Sequence, residues 1–576
     1  MKRLFFIFAL PTALLLYGIA AEAPIQLDDG PVLDSARTIH EGTRWLGFTS
    51  FWFTHKAFTV FGNIFPWRPE AYHRFGNIFI HAFAATALFW LVKELTNNTL
   101  IASIAGALFL VHPIQTQAVT YISQRFESMA AMWMFVSAAA YARFRKSGRS
   151  SWIVLAVIAG TAAVLSKETA GILPIWLLLI EFCCFGGGIF RTRMKYVAPL
   201  ALLFLIPAWS IFRSAGGKGT FTWIPWHWYF ASQGPVLTKY LQLSVWPGQQ
   251  FLYYAFPPVA ALTLPVIAQW ALVLAVIAAG IVFLKHDRLI GFGILSFFVL
   301  LLPVTLVPLP DMIFEHRVYP AFAGIAIAVA ALCRAERKAL LAGIAVILVV
   351  LSWRTVVRNS QWDDDIAFME LHRARFPQDP DILARLGSYY YVHGQVNKAV
   401  EVTLEARKYE DRLNPYYSQA RKTNIATNLV AMYFAKQDLE SALKEARRAI
   451  ALDPEQPMAL RAVATVEMSN GHYAAARDAW RKLTEIQPED PDAWLGLKEA
   501  CRFLGDIGGM TTADHHFQEL LQHSGQAAGT AQRPLEITAP EKTYMIFSLT
   551  VGLLLLLVLA GRTVWLAVNQ HVKFWI

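Results

Sequence analysis

Cysteine is scarce, with four in 576 residues. Cys183, Cys184 and Cys333 lie in or beside apolar runs and Cys501 stands alone in a polar region, so no disulfide framework is implied. Charge is scarce as well, at 16% of residues against 56% hydrophobic. The histidines lack ligand spacing such as HExxH, so no zinc pattern emerges. No phosphate-cradling glycine loop and no nucleophile elbow occur, which removes two common enzyme signatures. What the chain has instead is apolar length, and its mean hydropathy is +0.39. Such a composition belongs to a polytopic membrane protein. The formal net charge of +10 invites a nucleic-acid reading. Much of the excess falls in short loops between apolar runs, where the positive-inside effect accounts for it, so no nucleic-acid partner is expected.

The apolar runs set a topology. They fall near 4–20, 77–95, 99–112, 127–143, 151–166, 169–185, 195–212, 259–284, 289–308, 319–333, 339–354 and 543–567, giving about twelve spans. With Met1, Lys2 and Arg3 in the cytoplasm, four basic loops fall on the cytoplasmic side by parity. They are Arg143/Arg145/Lys146/Arg149, Arg191/Arg193/Lys195, Lys285/Arg288 and Arg334/Arg337/Lys338. The first run ends near an Ala-Glu-Ala that imitates a signal-peptidase site. The rest of the pattern wants this helix as a span, and cleavage would leave the same side outside. Residues 21–76 read as a long outer loop. The tryptophans of 213–258 read as interfacial, with a re-entrant or surface helix at 234–247.

Residues 355 to 540 are rich in charge and free of long apolar runs, which marks a separate soluble domain. Ala442 matches Ala476 and Pro454 matches Pro488, both at a spacing of 34, and an earlier copy carries Gly394 and Ala399. Small residues let paired helices approach, and proline ends the second helix. The period resembles tetratricopeptide repeats, with helical flanks at 362–376 and 490–521. Gly508-Gly509 and 523–541 read as linkers. The repeats offer either a docking surface for a partner or a spacer. The expected division is a membrane domain at 1–355, an outer repeat domain at 356–541, and a last span with a short cytoplasmic tail at 542–576.

By the same parity, the unusual polar clusters gather on the outer face. Polar groups at membrane depth are costly and usually mark a site. Asp28 and Asp29 follow the first span. Adjacent carboxylates repel, which raises one pKa and suits a general base. They also fit a divalent cation, if one binds, or a solvated turn, with Asp34 as a nearby backup. Arg68, His73 and Arg74 stand at the outer interface, where an anionic headgroup of a membrane lipid is one partner and helix capping the plain alternative. Asn77 and His81 share a helix face. The stretch from His112 through Gln117 to Arg125 and Glu127 is too rich in hydrogen-bonding groups for a passive turn. Lys167, Arg125 and Arg317 are outer-face cations that need anionic partners. These are a lipid phosphate or a carboxylate such as Glu127, Glu168 or Glu315.

LDDGP after the first span, YHRFGNIFIHA, LFLVHPIQTQAVTYISQRFESMAA, LSKETAG and IFEHRVYPAFAG occur in that order, followed by WDDDIAFMELHRARFPQDPD before the repeats. The ordered set resembles the GT-C membrane glycosyltransferases, and most closely the transmembrane and tetratricopeptide-repeat-containing protein O-mannosyltransferase family. The resemblance implies an all-α fold: a GT-C-like polytopic membrane bundle with an extracytoplasmic repeat domain. It implies inverting transfer of a sugar from a polyprenyl-phosphate-linked donor to an extracytoplasmic protein acceptor docked on the repeats. Asp28 and Asp29 match the family's catalytic acidic pair. Lys167, Arg317 and Arg125 are the candidates for the donor phosphate. His73, His112, Gln117, Glu127, Glu168, Glu315 and His316 are the candidates to line the site. No cofactor is certain, and a divalent cation would take Asp28 and Asp29. Gln117 stands where the family usually carries an acid. The same chemistry on a glycan or lipid acceptor, and a non-catalytic membrane scaffold, are the alternatives. The expected location is the bacterial inner membrane, with site and repeats facing the periplasm.

Overall fold

A computed structural model describes residues 2–26, 28–35, 44–185, 224–309, 311–335, 337–413 and 418–531. Every regular element among them is helical. Helices stand at ten of the twelve runs read as spans, and the runs at 195–212 and 543–567 lie outside the described residues. Four are long and apolar enough to cross a membrane: Pro69–Thr96, Leu264–His286, Arg288–Leu306 and Lys338–Ser360. Thr99–Val111 and Pro113–Thr120 together make a further candidate, bent by 53°. Phe5–Ala20, Ser150–Ser166 and Phe322–Leu332 are shorter apolar helices.

The helix Pro69–Thr96 is the centre of the bundle, touching the first helix, Trp45–Phe61, Thr99–Val111 and Arg125–Ser147. Its Ala82, Ala84 and Ala85 are fully buried. Lipid tails are as apolar as leucine, so close backbone approach between small residues is what holds such helices together. The same device joins Arg288–Leu306 to Phe322–Leu332, where a Cβ on Gly293 would lie 2.6 Å from the Gly324 carbonyl oxygen.

Three local readings change. The stretch 21–76, read as a loop, contains the helix Trp45–Phe61, which has no breaking proline and buries Gly47, Phe51 and Trp52 at helical spacing on one face. The surface helix expected at 234–247 runs from Trp226 to Val245 and buries Tyr229, Tyr240 and Leu243. Gly508 and Gly509, read as a linker, open the helix Ile507–Ala531. Asp506 Oδ1 accepts the Gly509 N–H at 2.9 Å there, a capping contact that offsets the glycines.

By its contacts the chain divides into Met1–Asp438 and Leu439–Ile576. The first unit holds the bundle together with the helices Asp365–Arg375, Pro380–Val392, Val396–Lys408 and Ser418–Ala435. The described part of the second holds Leu439–Leu452, Pro457–Ser469, Tyr473–Ile486, Pro491–Leu504 and Ile507–Ala531. The period of 34 is written into the backbone: Gln437, Gly471 and Gly505 all have positive φ, at 60°, 77° and 73°. Ala442 and Ala476, the matched small residues, are fully buried.

Candidate active site

The segment 112–128 carries four of the twelve expected site residues, His112, Gln117, Arg125 and Glu127, and its contacts reach five of the other eight. It leaves Thr99–Val111 as a short 3-10 turn and a five-residue helix, then enters Arg125–Ser147. Nearly all of it is buried. Its polar groups therefore need partners inside the protein.

Tyr121 and Ser123 hold the acidic pair. The Asp28 N–H donates to Tyr121 Oη at 2.9 Å, and the Ser123 N–H donates to Asp29 Oδ1 at 2.8 Å. The Gln26 N–H donates to Asp29 Oδ2 at 3.2 Å. The two neighbours thereby take different environments, Asp28 exposed and Asp29 fully buried. Burial pushes the Asp29 carboxyl up to about 7, against the pull of both N–H groups and of Arg74. Arg74 fixes the chain just ahead of the pair. Its guanidinium donates to the carbonyls of Thr120 at 3.0 Å, Ala21 at 3.1 Å and Pro24 at 2.8 Å, and also to that of Ala23. The Ala-Glu-Ala after the first helix is thus built into the site's support.

Arg125 is fully buried, and all three of its guanidinium nitrogens donate to protein oxygens. Nε reaches Asn77 Oδ1 at 2.6 Å, Nη1 reaches the Ser50 carbonyl at 2.8 Å and Thr54 Oγ1 at 3.0 Å, and Nη2 reaches the His73 carbonyl at 2.6 Å. It also stacks 4.1 Å over the Phe51 ring. Gly76 leaves the room, since a Cβ there would lie 2.9 Å from Nη2. His73 joins the same cluster, with Nδ1 2.7 Å from Thr54 Oγ1.

Glu127 pairs with Lys167 at 2.7 Å, with both side chains largely buried. Glu168 turns instead to Arg44, which grips it through two nitrogens, Nε at 2.8 Å. Burial raises the Glu168 carboxyl, but the Arg44 hydrogen bonds and charge outweigh it and hold it at about 2.

Gln117 carries the connection to the last motif. Its Oε1 accepts the His316 N–H at 2.7 Å, and its Nε2 donates to the Leu252 carbonyl at 2.9 Å. Burial, then Lys167 and Arg317, keep His316 neutral, well below the usual imidazole range. Glu315 is fully buried and accepts from Gln250 Nε2 at 2.8 Å, the Phe251 N–H at 2.9 Å and Tyr254 Oη at 2.5 Å. Burial raises its carboxyl. Arg317 gives Nη1 to the carbonyls of Asp311 and Met312, at 2.7 and 3.1 Å. His112 accepts the Ile114 N–H at 3.2 Å, a capping contact.

Two supports come from helices that the sequence reading assigned to the repeat domain. The Leu252 N–H donates to His372 Nε2 at 2.7 Å, and Tyr389 Oη donates to Gln26 Oε1 at 2.6 Å. Tyr121, Ser123 and His372 were legible only as members of the ordered motifs, and Arg44 only as part of the loop read at 21–76. No spacing marks a tyrosine that receives a backbone N–H from 93 residues away.

Residues 49–214 match the protein-family model described as Dolichyl-phosphate-mannose-protein mannosyltransferase. The match takes in His73, His112, Gln117, Arg125, Glu127, Lys167 and Glu168. It leaves Asp28, Asp29, Glu315, His316 and Arg317 outside. Over 102 residues, 18% of this chain, the sequence is 29% identical to "Protein O-mannosyl-transferase Tmtc1" of Drosophila melanogaster. Over 142 residues, 24% of this chain, it is 30% identical to "Cellulose synthase operon protein C" of Pseudomonas fluorescens (strain SBW25). The chain spans 12% and 11% of the lengths of those two proteins. Among solved structures, the crystal structure of MamA is 20% identical, with a TM-score of 0.25, covering 30% of this chain and 96% of that one. Pseudomonas aeruginosa pilF is 14% identical, with a TM-score of 0.24, covering 45% and 97%. The resemblance to GT-C mannosyltransferases thus rests on motif order and on the matched family segment together.

Proposed function

We propose that this membrane protein is an inverting glycosyltransferase that moves a sugar from a polyprenyl-phosphate-linked donor to an extracytoplasmic protein acceptor. The observation that carries the reading is the split environment of the acidic pair. Asp29 is buried with an N–H on each oxygen, while its neighbour Asp28 is exposed. Asp29 acts as the anchor and Asp28 as the base that takes the acceptor's hydroxyl proton. The freed oxygen attacks the anomeric carbon from the face opposite the phosphate, which leaves with its bonding pair and inverts the centre. Lys167 and Arg317 stabilise the departing phosphate's charge. Arg125, with every nitrogen engaged, holds the frame and does not face the donor. A divalent cation, if one binds at the pair, takes Asp28 as its main protein ligand, since both Asp29 oxygens already accept N–H groups.

The reading places the site and repeats on the periplasmic face of a bacterial inner membrane. It divides the chain at 355 and 541 in function, although the first repeat helices also brace the site. Asp28→Asn tests the chemistry. The variant is expected to insert normally and to remove the added sugar mass from secreted proteins. Full activity would move the base elsewhere. Excising 439–522 tests the acceptor role: donor binding stays, while modification of the native protein acceptor falls. An unchanged rate would leave those repeats as a spacer.

A further inference from the structure

A cleft of about 390 Å³ lies beside the last turns of Lys338–Ser360, outside the acidic pair's surroundings. Gln250, Phe251, Arg354, Val357, Arg358 and Gln361 are among its walls. Arg358 is only 4% exposed. Its Nη1 donates to Gln361 Oε1 at 2.8 Å, but Nε and Nη2 are buried with no hydrogen-bond partner. A buried donor left unmade costs about 1–3 kcal/mol, and more when charged. Glu315 lies within electrostatic reach, yet its oxygens are taken by Gln250, Phe251 and Tyr254. Arg354, one helical turn before Arg358, lines the same cleft. It gives Nη2 to the carbonyls of Pro247 and Gly248, and it stacks 5.5 Å over Trp246.

The helix beside the cleft, long and apolar enough to cross a membrane, also carries an exposed apolar face. Val346, Val349 and Trp353 on the same helix are 63%, 69% and 63% exposed, and Trp246 is 63% exposed. Valine on a span's free face belongs against lipid tails. Exposed tryptophan at the span's end is the residue of the headgroup level. Two arginines on one helix face at that level present forked donors that match a phosphate's oxygens.

We propose that this cleft binds the phosphate of a membrane lipid, gripped by the unpartnered Nε and Nη2 of Arg358 with Arg354 beside it. A prenyl phosphate and a bulk phospholipid headgroup share that chemistry. Such a cradle needs no catalytic step, so failure of sugar transfer in the chain leaves it standing. The test uses the full chain in nanodiscs of phosphatidylcholine, with farnesyl phosphate as probe, farnesol as the neutral control, and native mass spectrometry as readout. Gln361→Glu keeps the bond to Arg358 while neutralising it, and Arg354→Gln removes the charge of the second, half-buried arginine, with folding of both variants checked by thermal unfolding. Each is expected to weaken farnesyl phosphate retention roughly tenfold, as loss of one charge-assisted contact does, and to leave farnesol unchanged. Equal displacement by phosphatidylglycerol assigns the site to bulk lipid, and resistance to it assigns the site to prenyl phosphates. Wild-type retention in both folded variants, or equal binding of farnesol, overturns the proposal.

Discussion

The segment 112–128 and the helices between Leu439 and Ala531 are both rich in polar groups, and they treat them in opposite ways. In the first, nearly all the polar side chains are buried, and several are tied to residues far away in sequence. Gln117 reaches 199 residues to His316, and Ser123 reaches 94 to Asp29. In the second, most ion pairs keep at least one partner well exposed. Arg477 pairs with its own neighbour Asp478, and Lys498 pairs with Asp514, which is 42% exposed. Buried polar networks specify one arrangement because an unmet partner is expensive. Solvated pairs leave the helices free to change their surface. A site that must hold its geometry is expected in the first kind of region, and a surface that adapts to partners in the second.

Arg125→Gln should break the comparison most severely if it is false. It removes charge-assisted bonds to Asn77, Thr54 and two carbonyls, so a loss of about 3 kcal/mol or more is expected. Denaturation of the purified chain in mixed micelles measures it. A variant as stable as the parent would mean that the buried network is slack.

Asp29→Asn comes next, and its signature is in pH. The folded carboxyl sits at about 7 against an ordinary 3.8. A raised folded pKa means that the native state holds the proton more tightly. The stability this gives is complete below about pH 4 and is lost as pH rises through 7. Asparagine cannot titrate, so the difference between parent and variant should change with pH across that window and level off above it. A difference that stays flat from pH 4 to 8 would show that Asp29 is solvated.

Lys498→Ala should have the smallest effect, within about 1 kcal/mol, because exposed pairs are screened. A larger loss in thermal unfolding would make the repeat surface as exacting as the buried segment.

The two regions were also unequally legible. The repeats announce themselves through Ala442, Ala476, Pro454 and Pro488, and the backbone answers at the same period. The helices at ten expected spans follow from apolar length alone. The site was legible as a roster: the stretch from His112 to Glu127 named its own importance by packing polar groups between spans. Roles were not legible. Lys167, Arg125 and Arg317 read alike as outer-face cations. In the fold one is paired with Glu127, one is wholly committed to neutral oxygens, and one gives a single nitrogen to nearby carbonyls.

Sequence by itself therefore determined the membrane class, the helical period of the repeats and the motif set, because each depends on composition or on neighbours a few residues apart. Only the tertiary structure decided that Asp28 is open while Asp29 is sealed, that the helices Asp365–Arg375 and Pro380–Val392 brace the candidate site, and that Arg358 keeps two buried nitrogens unpartnered beside a cleft. Burial and pairing are properties of what long-range folding brings alongside a side chain, and adjacent residues of the same type carry no record of which one that will be.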